Sequence, residues 1–290
     1  MSFYTDTLAK IISLEVQGAE NIAIAGVQAF GEKLGETQDT VLLNKYVAEL
    51  SNARVTEPAL RNGLKYCMRF FKERAKPTDV VDEVIAYFKK SKEQLAQIGA
   101  EKIHDGMTVY THCHASSVTA ILLHAFKNGK RFTVRNTETR PKWQGRKTAT
   151  ELAEAGIQVI HSVDSAARLQ IKESDLVLVG ADAVTVEGNV VNKIGTAMFA
   201  EFAHLYQIPF YSCTNSWKFD PLTVGGKDEP IEMRDTKEVW ENPPANVTLI
   251  NPAFELTPAD RLSGIITELG VFKPETLVSQ VQKEYSWMFA

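Results

Sequence analysis

The sequence predicts an α/β protein in which a block of helices precedes a mainly parallel sheet with helices on both faces. Two observations carry this. From Asp6 to about Ala100 apolar residues recur at three- and four-residue spacing, the period of an amphipathic helix. After Asp105-Gly106 the period changes to short β-branched runs, most of them separated by a helical stretch. A helix between two strands brings the chain back to the same end of the sheet, so the strands run parallel and the helices cover its faces. The expected organisation is a helical N-terminal domain over residues 1–100 and an α/β domain over 101–290. No linker rich in Gly and Ser separates them, so the boundary is a change of architecture within one compact unit.

In chain order, "DTLAKIISLEV" opens on a capping Asp6, with Leu8, Ile11 and Ile12 on one face. "GAENIAIAGVQAFGEKL" continues the helical pattern with Ala and Gly. "TEPALRNGLKYCMRFFKERA" begins with Thr56, Glu57 and Pro58, a helix N-terminus that places Arg61 on the helix surface. "PTDVVDEVIAYFKKSKEQLAQIGAEKI" reads as a longer amphipathic helix with basic residues toward its C-terminal half. The strands follow: "MTVYTHC", "KRFTVRNTE", "GIQVIHSV", "SDLVLVGADAV", "IPFYSCT" and "VTLINPAF", with "ATELAEAG" and "TAMFAEFAHLYQ" as intervening helices.

Composition narrows the function classes. With 44% hydrophobic and 23% charged residues the chain is an ordinary globular one. A net charge of -4 provides no global basic field for nucleic acid or an anionic membrane, so an anionic ligand must be held by local groups. There is no uncharged apolar run of about 18 residues and no basic-then-apolar leader, which makes a cytoplasmic protein the expectation. The three cysteines, Cys67, Cys113 and Cys213, lie far apart, against a disulfide framework or a C-x-x-C zinc site. "HCH" is the one place that suggests metal, but neighbours on a strand point to opposite faces and no further ligands accompany them. No metal and no cofactor are expected.

Ligands of open parallel sheets bind beyond the carboxyl ends of the strands. Those ends read "THCHASS", "TETRPKWQG", "GADAV", "TNSWKF" and "NPAFE". Cys113 follows a strand and precedes a helix, a setting in which a positive helix end lowers a thiol pKa; the alternative is a small core residue. Asp182 ends the most apolar strand after a glycine, where desolvation raises a carboxyl pKa toward general-acid work; the alternative is a turn cap. Asn192 and Lys193 stand just ahead of Gly195-Thr196 and a helix start, a group able to hold phosphate unless the helix is merely capped and the lysine solvated. Arg140, Lys142, Gln144, Arg146 and Lys147 crowd a segment stiffened by Pro141, Trp143 and Gly145, and Arg54 and Lys218 are single cations.

Taken together, "THCHASS", "TETRPKWQG", "GADAVTVEGNVVNKIGT", "WKFDP", "EMRD" and "NPAFELTP", in this order and spacing, resemble the archaeal-type ribose-1,5-bisphosphate isomerases. That family shares a superfamily with methylthioribose-1-phosphate isomerase and the regulatory α, β and δ subunits of translation initiation factor 2B. The resemblance implies a helical N-terminal region and a Rossmann-like C-terminal domain. It implies a homohexamer built as a trimer of dimers, a sugar-phosphate substrate and AMP as an effector. Its catalytic cysteine and aspartate fall on Cys113 as base and Asp182 as general acid. Its ligand contacts fall on Gln17, Gly18, Ala19, Arg54, Gln144, Asn192, Lys193 and Lys218. One departure stands out: where the family resembles Arg-Gly-Ala-Gly, this chain reads "QGAE", with Gln17 at the arginine and Glu20 at the second glycine. The resemblance also leaves two other activities open, the methylthioribose reaction and a noncatalytic regulatory subunit that binds a nucleotide or sugar phosphate.

Overall fold

The computed structural model describes residues 2–289. Five helices come first: α1 (Phe3–Ile12), α2 (Ala19–Glu36), α3 (Thr40–Ala53), α4 (Pro58–Phe70) and α5 (Asp79–Ala100). The first begins earlier than the sequence pattern suggests. Ser2 caps it by accepting from the Thr5 N–H, and Asp6 instead pairs with Lys10 at 2.8 Å along the helix. Nor does Thr56 cap α4; its hydroxyl donates to the Pro230 carbonyl at 2.6 Å.

The α/β part continues with β1 (Thr108–Thr111), α6 (Ser116–Lys127), β2 (Thr133–Thr137), α7 (Gln144–Glu154), β3 (Gln158–Ser162), α8 (Ala167–Lys172), β4 (Leu176–Val179), β5 (Ala183–Val184), β6 (Val190–Lys193), α9 (Thr196–Leu205) and β7 (Phe210–Cys213). It closes with β8 (Phe254–Thr257), β9 (Gly264–Thr267), β10 (Gly270–Phe272) and α10 (Pro274–Glu284). Seven strands form the main sheet in the order β10-β9-β7-β4-β1-β2-β3, parallel except for β10 at the edge.

The sheet is buried on both faces, which is why its central strands read as unbroken apolar runs. All four residues of β4 are buried. Val177 and Val179 join a core shared with Phe30, Leu60 and Phe88 of the N-terminal helices, whereas Leu176 and Leu178 pack with Ile121 and Val134 on the other face. The helical region thus shares an apolar core with the sheet it covers.

Two departures from the sequence pattern have a common cause. The strand expected across "VTLINPAF" does not form: only its last residue, Phe254, belongs to a strand, β8, and β5, β6 and β8 form a separate three-stranded antiparallel sheet. "GIITELGVF" folds as the β9–β10 hairpin at the sheet edge. Strands this short carry too few residues to show a period, and their pairing partners lie far away in sequence.

Candidate active site

The strand order reverses at β1: β2 lies on one side of it and β4 on the other. At such a point the loops leaving two adjacent parallel strands turn away from each other and open a crevice. Thr111 of β1 stands in register with Leu178 of β4, so Cys113 and Asp182, just beyond these strands, come to the same crevice. It is a cavity of about 180 Å3, room for a small polar metabolite.

Cys113 adopts a left-handed backbone, φ 65°. The segment after β2 holds it: its N–H donates to Thr139 Oγ1 at 3.0 Å, and its carbonyl accepts from Thr148 Oγ1 at 2.8 Å. That segment can come so close because Gly145 has no side chain; a Cβ there would stand 1.7 Å from the Thr137 carbonyl oxygen. The flanking histidines are committed to hydrogen bonds, His112 to Thr137 and to the Ile194 carbonyl, His114 to Thr148.

Burial pushes the Cys113 thiol up to about 11, and Lys193 and the His114 N–H oppose the rise only in part. This corrects the expectation of a thiolate favoured by a helix end. Helix α6 begins three residues later, at Ser116, and loss of water outweighs its dipole. Burial likewise raises the Asp182 carboxyl, against the pull of Lys218, Lys193 and Arg54.

Lys218 is held in a short 3-10 turn and donates from Nζ to the Ala181 carbonyl at 2.5 Å, beside Asp182. Asn192 and Lys193 come from β6, and Lys193 Nζ lies 4.8 Å from the centre of the Phe254 ring. Arg54, only 7% exposed, reaches Glu232 at 2.8 Å and Glu57 at 3.6 Å. Gln144 enters from the start of α7, and Gln17, Gly18, Ala19 and Glu20 form the cavity wall at the start of α2. The ten residues on which the family's catalytic and ligand contacts fall therefore line one cavity.

Three expectations about individual groups need correction. The start of α9 is closed to phosphate, because the Gly195 and Ala197 N–H groups both donate to Glu255 Oε1, at 2.6 and 2.9 Å. Glu255 pairs with Asn192 across β6 and β8, a register not visible in sequence. Arg61 is no surface residue: it pairs with Asp220 at 2.9 Å and with Glu229 at 3.5 Å. Of the charge-rich segment after β2, only Gln144 and Lys147 line the cavity; Arg140 and Arg146 pack on Trp143, and Lys142 pairs with Glu238 at 2.9 Å.

Residues 15–274 match the initiation factor 2 subunit family. The chain belongs to that family. Among its relatives, the ribose 1,5-bisphosphate isomerase of Archaeoglobus fulgidus is 39% identical over 92% of this chain and 88% of its own length. The enzyme of that name from Methanocaldococcus jannaschii is 36% identical over 99% and 97%. The methylthioribose-1-phosphate isomerase of Heliobacterium modesticaldum is 34% identical over 92% and 86%. Among solved structures, a translation initiation factor 2B protein from Pyrococcus horikoshii superposes with a TM-score of 0.80 at 31% identity, covering 93% of this chain and 97% of that one.

Among the cavity residues that sequence reasoning missed, two are charged, Glu57 and Arg234. Glu57 read as part of a helix start, and Arg234 as part of a motif with no assigned role. Arg234 had one signal, its place in "EMRD". Glu57 had none, because only the packing of α4 against the 3-10 turn at Ser216–Lys218 brings it to the site.

Proposed function

We propose that the protein is a ribose-1,5-bisphosphate isomerase, an intramolecular aldose–ketose isomerase that converts α-D-ribose 1,5-bisphosphate to D-ribulose 1,5-bisphosphate. The observation that carries the proposal is a thiol and a carboxyl at the ends of adjacent parallel strands, in one cavity with five cationic side chains, Arg54, Lys147, Lys193, Lys218 and Arg234. A binding protein needs the cations; it has no need of a desolvated acid opposite a thiol. The names of the relatives support the same activity.

The C1 phosphate locks the sugar as a ring, so the reaction opens the ring before it moves hydrogen. Asp182, in its protonated form, gives a proton to the ring oxygen as the bond from that oxygen to C1 breaks. Cys113, as thiolate, takes the proton from C2, and an enediol phosphate forms with a C1–C2 double bond. The thiol returns that proton to C1, and loss of the C2 hydroxyl proton leaves the ketone. The change is redox-neutral. Arg54, Asn192, Lys193 and Lys218 hold phosphate and hydroxyl oxygens beside the two reacting groups, with Gln144 and the Gln17-Gly18-Ala19 turn also on the cavity wall.

The same reading includes a cytoplasmic homohexamer assembled as a trimer of dimers, with AMP as effector. Exposed Phe3, Ile12 and Val41 on the helical half and Met198 and Leu205 on α9 are apolar surface suited to burial between copies.

One observation favours a second reading, methylthioribose-1-phosphate isomerase. The Glu20 carboxylate lines the cavity at the start of α2, 3.4 Å from both Ser116 Oγ and Lys92 Nζ. An acid there suits a substrate with a single phosphate. The test is to assay both sugar phosphates in parallel, with and without AMP, and to measure mass by sedimentation. Turnover of the bisphosphate in preference to the methylthio sugar supports the first reading. Turnover of neither sugar overturns both and leaves the regulatory binding subunit.

A further inference from the structure

The isomerase mechanism leaves one proton without a keeper, that of the C2 hydroxyl, and one buried acid without a task, Glu57. Glu57 stands at the N-cap of α4, where a carboxylate ordinarily accepts from the free N–H groups of the first turn, yet it makes no such bond. Its side chain goes to the cavity that Asp182 also lines. The residue is 1% exposed, and its Oε2 has no hydrogen-bond partner among the described residues. Its one ion pair among the described residues is long, 3.6 Å from Arg54 Nη2, because that guanidinium lies closer to Glu232, at 2.8 Å. A buried carboxyl left this poorly satisfied costs free energy unless it carries a proton or meets a ligand.

We infer that Glu57 and Asp182 share one proton, and that Glu57 is a further catalytic residue which takes the C2 hydroxyl proton and supplies Asp182. The inference rests on the isomerase reading. In the free site Lys218, Lys193 and Arg54 oppose the rise that burial gives Asp182, and the relay places the shared proton on Glu57. Burial first, and the charge of Asp182 second, push the Glu57 carboxyl up to about 8. When a phosphate engages those cations, Asp182 loses their compensation and the proton passes to it from Glu57. Asp182 then gives it to the ring oxygen. When the ketone forms, the C2 hydroxyl proton goes to the Glu57 carboxylate, while Cys113 has returned the C2 proton to C1. Glu57 is again protonated and Asp182 ionised, which is the starting state. The ring oxygen has gained one proton and the C2 oxygen has lost one, so the count closes without a co-reactant.

Glu57→Gln tests this, because glutamine has the shape and neutrality of a protonated glutamate but cannot pass on its hydrogen. With ribose 1,5-bisphosphate, kcat falls about 10²- to 10⁴-fold while KM changes little. The pH profile adds a readout that a structural role would not move. In the wild type the active form holds a single proton among Glu57, Asp182 and Cys113, so kcat/KM rises with pH toward about 8 and falls near 11. In Glu57→Gln the rising limb moves to lower pH. Wild-type kcat in a folded Glu57→Gln protein, or a raised KM with an unmoved limb, overturns the inference. If the glutamine variant does not fold, Glu57→Asp must show lowered kcat with its rising limb kept, and full turnover in it counts against the relay. If the wild type turns over no bisphosphate, the isomerase reading has failed. The shared proton is then decided by infrared titration of the wild type and Glu57→Gln: a protonated-carboxyl band at neutral pH that the variant retains unchanged overturns it.

Discussion

A methyl group built on Gly180 would stand 2.6 Å from the Cβ of Ala115, so the loops that leave β4 and β1 meet where only a hydrogen fits. Gly180 precedes Asp182 by two residues, and Ala115 follows Cys113 by two. Their contact sets the spacing between the thiol and the acid. Gly180→Ala should therefore push the loops apart. Overpacking of this kind costs about 1 to 3 kcal/mol, and the misplaced pair should lower turnover further than the stability loss explains. Thermal unfolding and kcat/KM on the same preparation check it. A variant with unchanged melting and unchanged turnover would show that the two loops do not depend on each other.

Cys113→Ser and Asp182→Asn should each reduce kcat about 10²- to 10⁴-fold, the ordinary contribution of one acid or base. Both substitutions conserve shape, and the backbone bonds that hold Cys113 come from Thr139 and Thr148, so fold and assembly should survive. Circular dichroism and sedimentation establish that they do. Near-wild-type turnover in either folded variant removes that residue from the mechanism.

The main sheet and the position of the site were legible because both rest on local pattern. Apolar runs such as "LVLV" marked strands buried on both faces, and the unusual residues after them marked the carboxyl ends. Glu57, Glu255 and Glu232 were not legible, because each acts through a neighbour brought in from a distant segment. Glu255 closes the helix start that "NKIGT" advertised, and Glu232 engages Arg54. The Cys113 thiol was misjudged for a related reason. Sequence shows the helix that follows it, but not how completely the surrounding segments exclude water.

His112 gives the fold an acid-sensitive element. It is 2% exposed, and burial lowers its pKa from 6.5 to about 4. Nε2–H donates to the Ile194 carbonyl at 3.0 Å, while Nδ1 lies within hydrogen-bond distance of the Thr137 and Thr139 hydroxyls. The folded state thus holds the neutral ring. Because the folded pKa lies below the unfolded one, the stabilisation is whole above pH 6.5 and is lost as pH falls toward 4. The loss reaches on the order of 3 kcal/mol, at about 1.4 kcal/mol per pKa unit. Urea midpoints measured across that window should fall less steeply in His112→Gln than in the wild type. Equal slopes would assign the acid sensitivity to other groups, His114 among them.

Gly18, in the turn before α2, has φ 86°, a conformation that favours glycine, and it sets the free N–H groups at the start of α2 on the cavity wall. Such a helix start attracts phosphate, but two side chains work against it. Gln17 turns its amide back to the Leu14 carbonyl at 2.9 Å, and Glu20 places a carboxylate in the cavity while engaging Lys92. Gln17→Arg with Glu20→Gly should supply a guanidinium, remove the repulsion and release Lys92 toward the ligand. One charge-assisted hydrogen-bond pair is worth roughly 1.5 to 3 kcal/mol, or about ten- to a hundredfold in affinity. The gain should appear as a lower KM for ribose 1,5-bisphosphate with kcat little changed, since Cys113 and Asp182 lie on the strand ends and not on this turn. It should come with a small loss of helix stability, because glycine in a first turn costs up to about 1 kcal/mol. Steady-state kinetics of the double variant beside the wild type decide the matter, and an unchanged KM would mean that the phosphate does not rest on this turn.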